Sequence, residues 1–458
     1  MSKTGNIELI TGDPKRAIVK LSVPMMLTMF LLTLYNLADS IWVAGIGPDA
    51  LAAIGFISPM YMVLIGLGNG IGAGANSLIA RYIGSKDYAQ ANNAALHGVL
   101  LSVVISIIST VVLVGLMDPI LMVLGAGKTL EIAGQYSIII FSFIFVFIFI
   151  AVASSIFRSE GDMKRGTIPI VLAAILNIVL DPIFIYVFGW GIAGAGWATV
   201  LAASLSAIVM AYWMFVKKDM FLDLSFKNFN YRSSMVYDTL YIAVPSTLEN
   251  ILISAFGVVV NNMLAIVDGT SAVAIYTVAL RMSQVSQIPL SGISTALLTV
   301  SGVSYGASNP ENLNVAYSYS IKFGLAISTV IAVLMVIFSP QLASVFAYST
   351  ASASLLPDIS TAISILTLYL FVIPMGVMSS MMFQGVGKGL YSLLIGFMRF
   401  LLLGSIFSYL FGFVFGWGVT GIYAGSIFGC FVGGICAFIM AKSFIYKFKK
   451  ISGENEII

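Results

Sequence analysis

The sequence predicts an all-α polytopic membrane protein of about twelve transmembrane helices in two pseudo-symmetric six-helix lobes. Three observations carry that expectation. Only 9% of the 458 residues are charged and 59% are hydrophobic, too little polar surface to cover a soluble fold. The apolar residues gather into stretches near the ~20 residues that a helix needs to cross a bilayer, separated by short polar breaks. The basic residues then sort onto alternate connections.

The expected spans cover residues 18–43, 50–80, 94–117, 134–157, 166–188 and 193–216, then 236–264, 271–303, 316–338, 356–383, 391–415 and 420–445. Lys15, Arg16 and Lys20 precede the first stretch, which is too long for a signal h-region and lacks a cleavage site, so it reads as a retained helix. Of 22 Lys and Arg, 18 fall on one side of this arrangement, Lys128 alone falls on the other, and Arg281, Lys322 and Arg399 fall inside spans. That asymmetry predicts an even number of spans, both termini in the cytoplasm and a plasma (inner) membrane location. It also accounts for the net charge of +3 without a nucleic-acid partner.

An internal repeat underlies the two lobes. Phe188 to Gly194 reads FGWGIAG and Phe415 to Gly421 reads FGWGVTG, each joining a fifth to a sixth span. The turns after Gly84 and Gly306 correspond, as do Phe157 to Gly161 and Phe383 to Gly387, and Pro24 and Pro245 are similarly placed, with Pro24 a candidate hinge. The domains expected are a first lobe over 1–216, a linker over 217–235, a second lobe over 236–446 and a tail over 447–458. Six spans per repeat relate the lobes by an axis along the membrane normal. Gly421, Gly425, Gly429 and Gly433 form a smooth ridge for close helix packing.

Several motifs are set aside. Gly125 to Thr129 ends like a nucleotide-binding loop, but Met122 stands where that pattern needs glycine. Gly70 to Ala75 matches a dinucleotide fingerprint inside an apolar span with no strand before it, and reads as packing glycines. His97 is the single histidine, Cys430 and Cys436 both fall in the last span, and no hydrolase or metalloprotease motif is present. The chain is therefore expected to be no enzyme, to need no cofactor and to bind no nucleotide.

Buried polar residues mark the candidate site. A carboxylate at a helix centre costs about 2.5–3.5 kcal/mol on insertion scales, so each needs a partner or a function. Asp39 in span one and Asp181 in span five are the conspicuous cases, with Tyr35 and Asn36 on the face of Asp39 and Asn177 one turn before Asp181. At about 1.5 Å per residue, Asp39, Asp181 and Thr199 of span six reach compatible depths in the outer half of the membrane. Pro182 removes a backbone donor beside them. Oxygen ligands suit a hard cation and a buried carboxyl suits a proton, so the coupling ion is H⁺ or Na⁺, with Asp39, Asn177, Asp181 and Thr199 as the metal ligands in the second case. The second repeat has Val260 and Ser408 near the positions of Asp39 and Asp181, while Glu249 and Arg281 are its expected buried ions, paired structurally or contacting substrate.

With Pro24, the segment Tyr35-Asn36-Leu37-Ala38-Asp39, the segment Asn177-Ile178-Val179-Leu180-Asp181-Pro182 and the repeated FGWG turns, the whole chain resembles the multidrug and toxin extrusion (MATE) family. The resemblance implies a V-shaped pair of lobes, alternating access, and export of amphipathic, often cationic small organic compounds in exchange for Na⁺ or H⁺. It carries the family's first-lobe cation site onto Asp39, Asn177, Asp181 and Thr199, with Tyr136 nearby. Members with acids in the second lobe differ, since span ten here has no buried acid. The expected partners are small-molecule substrates and the lipid bilayer. The alternative within the same superfamily fold is a flippase for lipid-linked saccharides, which needs several cavity cations where this chain offers Arg281, Lys322 and Arg399.

Overall fold

In hydrocarbon, each backbone N–H and C=O must find a partner within the protein, and a helix supplies those partners locally. The computed structural model describes residues 3–344 and 355–454, and its regular elements are all helical. They are α1 (Lys3–Thr11), α2 (Pro14–Ala44), α3 (Pro48–Gly84), α4 (Tyr88–Gly115), α5 (Met117–Val123), α6 (Leu130–Ser142), α7 (Ile144–Ser159), α8 (Met163–Pro182), α9 (Gly191–Ala211), α10 (Ser233–Ser286), α11 (Ile288–Gly306), α12 (Pro310–Ile337), α13 (Ser339–Ser344), α14 (Leu356–Thr367), α15 (Ile373–Gly385), α16 (Gly389–Phe397), α17 (Ser405–Tyr409) and α18 (Gly418–Glu454).

Ten of the described helices are long and apolar enough to cross a membrane, and twelve crossings result when two bent pairs each count as one. Span four bends by 49° between α6 and α7, and span ten by 45° where Pro374 opens α15. The long α10 breaks at Asp268 and Gly269, where the glycine takes φ 68°, dividing spans seven and eight as the sequence predicts. The expected tail is not a separate segment: α18 runs on to Glu454, and residues 455–458 lie outside the described residues.

The chain divides into two compact units, Met1–Gly12 with Leu27–Thr247 and Asp13–Met26 with Leu248–Ile458. These boundaries differ from those read from the sequence. The division falls near Pro24 in α2 and near Pro245 in α10 rather than in the polar linker. Residues 217–247 pack with the first unit, because Gly70 and Gly74 of α3 lie against Ala243 and Thr239 of α10 and Thr247 Oγ1 donates to the Gly66 carbonyl at 3.0 Å. Residues 13–26 pack with the second unit, where Gly292 sits on Ser22 and Met26. Gly72 lies against Ala151 and Ser155 of α7, so the glycines of residues 70–75 are packing glycines, as expected.

The repeat is visible bond by bond. In the first FGWG turn Trp190 N donates to Phe184 O at 3.1 Å, and in the second Trp417 N donates to Phe411 O at 3.1 Å. The glycines flanking each tryptophan take φ of 69° and 55°, then 72° and 60°, conformations that a β-carbon disfavours. A widened π-helical turn precedes each motif, at Ile183–Val187 and at Leu410–Val414. Within the second unit the glycine ridge of α18 is spent on close packing: a β-carbon at Gly425 would lie 2.2 Å from Phe407 O and one at Gly429 2.4 Å from Leu403 O.

The linker lies along the end of the first unit. Its Met220, Leu222 and Leu224 are buried, and Glu160 Oε2 accepts from the amides of Phe221 and Leu222, each at 3.1 Å. Arg165 bonds Asp219 at 2.6 Å.

Two outcomes follow. Gly429→Ala forces backbone against backbone and should cost roughly 1–3 kcal/mol, lowering the melting temperature in detergent, whereas Gly257→Ala meets nothing within 4 Å and should be neutral or mildly stabilising. Burial pushes the Glu160 carboxyl up to about 8 against the two amides it accepts. A carboxyl raised in the folded state stabilises below its unfolded value and loses that contribution as pH rises through the folded one. Melting temperature should therefore fall as pH rises from the ordinary carboxyl value of 4.5 to about 8 and level off above that, and Glu160→Gln, which keeps the acceptor, should flatten the fall.

Candidate functional site

The first FGWG turn aligns α9 against α8, and Gly194 lets α9 approach the Phe184 carbonyl so closely that a β-carbon would stand 2.6 Å from it. Thr199 therefore comes opposite Asn177. Asn177 Nδ2 donates to Thr199 Oγ1 at 3.3 Å and to Asp181 Oδ1 at 3.2 Å, and the Thr199 hydroxyl donates to the Ala195 carbonyl at 3.0 Å. Asp181 is 0% exposed, Asn177 2% and Thr199 7%, an enclosure that leaves their polar atoms dependent on one another.

Asp39 of α2 joins the cluster, its carboxyl within hydrogen-bonding reach of Asp181. A carboxyl–carboxyl hydrogen bond needs a donor, so it holds only while one of the two carries a proton. Tyr136 of α6 stands beside Thr199, and Tyr35 and Tyr61 stand close to the Asp39 carboxyl. No donor reaches three enclosed oxygens of this cluster, Asp39 Oδ1, Asn177 Oδ1 and Asp181 Oδ2, among the described residues. Two carboxyls, an amide oxygen and a hydroxyl make a donor set of hard oxygens, suited to a proton or to an alkali cation.

All five residues expected in the first unit are thus brought together. The π-helical turn at Ile183–Val187 follows Pro182 directly, so the helix widens next to the carboxyl pair. Counted from the FGWG turn, the second unit has Gly404, Ser408 and Ser426 where the first has Asn177, Asp181 and Thr199. The Phe256 ring lies against Gly404, filling the space with apolar atoms.

The second unit differs from expectation in its ions. Arg281 is exposed rather than buried, because its position on α10 faces outward from the unit. Glu249 instead accepts from Ser380 Oγ at 2.8 Å and from Gln384 Nε2 at 3.4 Å. The buried cation is Arg399, 1% exposed, bonded to the Tyr369 hydroxyl at 3.1 Å and stacked 4.9 Å from the Phe400 ring centroid. Its charge reaches Glu249, though the two make no ion pair within contact distance among the described residues. Sequence reading noted Arg399 only as a basic residue inside a span. The signal for its burial lies at Gly376 and Gly433, whose missing β-carbons leave room for its side chain. Lys322 is exposed.

A double-mutant cycle tests the Glu249–Arg399 relation. Glu249→Gln and Arg399→Met should each lower thermal stability in detergent, and the double variant should lose less than their sum, with a coupling of about 0.5–3 kcal/mol.

Comparison with known proteins places this geometry. The MatE family model matches residues 24–183 and 245–410, two blocks that open on Pro24 and Pro245. A FAD transporter of Shewanella oneidensis is 28% identical over 74% of this chain and 75% of its own length. The multidrug export protein MepA of Staphylococcus aureus is 26% identical over 81% of this chain and 79% of its own. A crystal structure of MATE in complex with MaL6 matches with a TM-score of 0.94 and 37% identity, covering 97% of this chain and 99% of that one.

Proposed function

The chain belongs to the MatE family and is a multi-pass membrane transporter rather than an enzyme, and on that premise we propose that it is a secondary antiporter, exporting amphipathic, mainly cationic organic compounds in exchange for H⁺ or Na⁺. The observation that carries this reading is the cluster of enclosed, donor-free oxygens on Asp39, Asn177 and Asp181 beside Thr199. Such a cluster is a poor structural glue, since three of its oxygens lack donors among the described residues, and a good reversible cation site.

The ion enters from outside, neutralises the carboxyl pair and changes how α2 and α8 pack in the first unit. Substrate leaves outward, and the ion then leaves inward to reset the carrier. One elementary charge crossing 100 mV supplies about 2.3 kcal/mol, close to fiftyfold in concentration at equilibrium. Pro24 serves as the hinge, because it interrupts the backbone ladder of α2 near the point where the helix passes from one unit to the other. The distribution of Lys and Arg supports cytoplasmic termini in the plasma membrane. Flipping of lipid-linked saccharides is the second reading, and the transporters this chain is similar to do not favour it.

The test is efflux of a fluorescent organic cation from proteoliposomes under an imposed H⁺ or Na⁺ gradient, with FAD as a second cargo because one relative bears that name. Wild type should move the cation under one of the gradients, which names the ion. Asp39→Asn and Asp181→Asn should each cut that flux by at least about tenfold while remaining folded. Equal flux in the variants removes the cluster from coupling, and no wild-type flux of either cargo under either gradient overturns the antiport reading.

A further inference from the structure

The linker that follows α9 is seated by side chains reaching its backbone, and one of them is a histidine with both ring nitrogens committed. Asn93 of α4 makes a paired contact with Asn230, donating from Nδ2 to its carbonyl at 2.8 Å and accepting from its amide at 3.2 Å. One helical turn further along the same face, His97 Nε2 lies 2.9 Å from the Arg232 amide and Nδ1 lies 2.8 Å from the Asn93 carbonyl. Arg232 is the residue immediately before α10, and its carbonyl accepts from Met235 and Val236 at the start of that helix.

The two partners fix the ring's chemistry. A backbone amide only donates, so Nε2 must present its lone pair to Arg232. A backbone carbonyl only accepts, so the proton must sit on Nδ1. The ring is 3% exposed, between Phe229 at 4.9 Å and Tyr231 at 5.8 Å between centroids. A second proton would turn Nε2 into a donor facing the Arg232 N–H, and would place a positive charge, poorly hydrated, beside the Arg232 side chain.

Charged groups on the elements packed around α4 do not rescue that state. Arg81 of α3 turns to the Ser77 carbonyl, Arg158 of α7 to the hydroxyls of Ser154 and Ser155, and Glu160 to the linker amides. Asp87 caps α4 by accepting from Gln90 N at 3.1 Å, Asp223 of the linker is held by its amide donating to Asn92 Oδ1 at 3.0 Å, and neither these carboxyls nor Asp238 of α10 bonds the ring among the described residues. Among the described residues the hydrogen bonds of the ring are those to Asn93 and Arg232 alone.

We infer that His97 is a positioning residue that makes the seating of the linker and the start of α10 depend on protons: the neutral ring holds the Arg232 amide, and the protonated ring releases it. The group acts through the backbone that carries α10, and its hydrogen bonds are separate from those of the oxygen cluster of α2, α8 and α9.

The chain's one histidine makes the test specific, provided the full-length protein is purified without a polyhistidine tag. Nitrogen-15 labelling of histidine should give one imidazole, with Nδ1 protonated and Nε2 free at pH 7.5. Hydrogen–deuterium exchange, corrected for the intrinsic rate, should then find the amides of residues 229–232 at least about tenfold less protected at pH 5.5 than at pH 7.5. Glu160, pushed up to about 8, begins to ionise towards the upper of these pH values, and its effect is common to wild type and His97→Gln, so the comparison of the two isolates the histidine. His97→Gln places a non-titrating acceptor near Nε2 and should hold the linker equally at both pH values, while His97→Phe should leave it loose at both. Equal protection in wild type at the two pH values overturns the inference without recourse to any variant, as does a pH-dependent loss that persists in His97→Gln.

Discussion

Close approach of one helix backbone to another, at glycines placed on facing ridges, is the constraint on which both units rest. In hydrocarbon no hydrophobic gain draws helices together, and contact area between smooth surfaces has to supply the adhesion. Gly194 on α9 and Gly421 on α18 each bring the following helix onto the carbonyl of a phenylalanine in the helix before it. The FGWG turns fix the angle at which this happens, with Trp190 and Trp417 returning a bond to the same residues, Phe184 and Phe411. A polar site buried between helices needs that closeness, because a hydrogen bond between side chains as short as Asn177 and Thr199 spans only about 3 Å.

Much of this was legible in the sequence because lipid simplifies the code. Hydropathy and charge give the crossings, since a misplaced lysine or an unpaired amide is expensive there. The repeated heptapeptides at Phe188 and Phe415 gave the duplication before any coordinates, and Asp39, Asn177, Asp181 and Thr199 could be brought to one depth by counting rise along helices. Legibility ended where tertiary contacts decide. The bend at Phe143 has no proline to announce it, and the boundary between the units depends on Gly70 and Gly74 holding α10, a contact between residues distant in sequence. Glu249 of span seven and Arg281 of span eight are expected from sequence as buried ions that pair across helices, yet Arg281 is exposed and the room left by Gly376 and Gly433 makes Arg399 the buried cation.

Duplication of backbone without duplication of side chains separates two tasks. Both units keep the turn, the widened helix before it and the small-residue approach after it, features that concern only packing. At the positions equivalent to Asn177 and Asp181 the second unit has Gly404 and Ser408, and Phe256 covers the glycine. A proton or cation could find no carboxyl there. The second unit's own acid, Glu249, is compensated by hydroxyl and amide donors with Arg399 nearby, so its charge is balanced from within.

The oxygen cluster of the first unit is left unbalanced by the same comparison, and the imbalance is what a coupled carrier needs. A site whose oxygens were all satisfied by protein donors would gain little from an arriving cation, and its two states would differ too little in energy to bias a conformational change. Asp39, Asn177 and Asp181 hold their oxygens in an enclosed place without donors, while Asp181 and Asn177 ride on the helix that widens just past Pro182. On the proposed antiport reading, a cation taking those oxygens would change the packing of α2 against α8 where the backbone ladder is already interrupted, and would act on the helices themselves rather than on side chains alone.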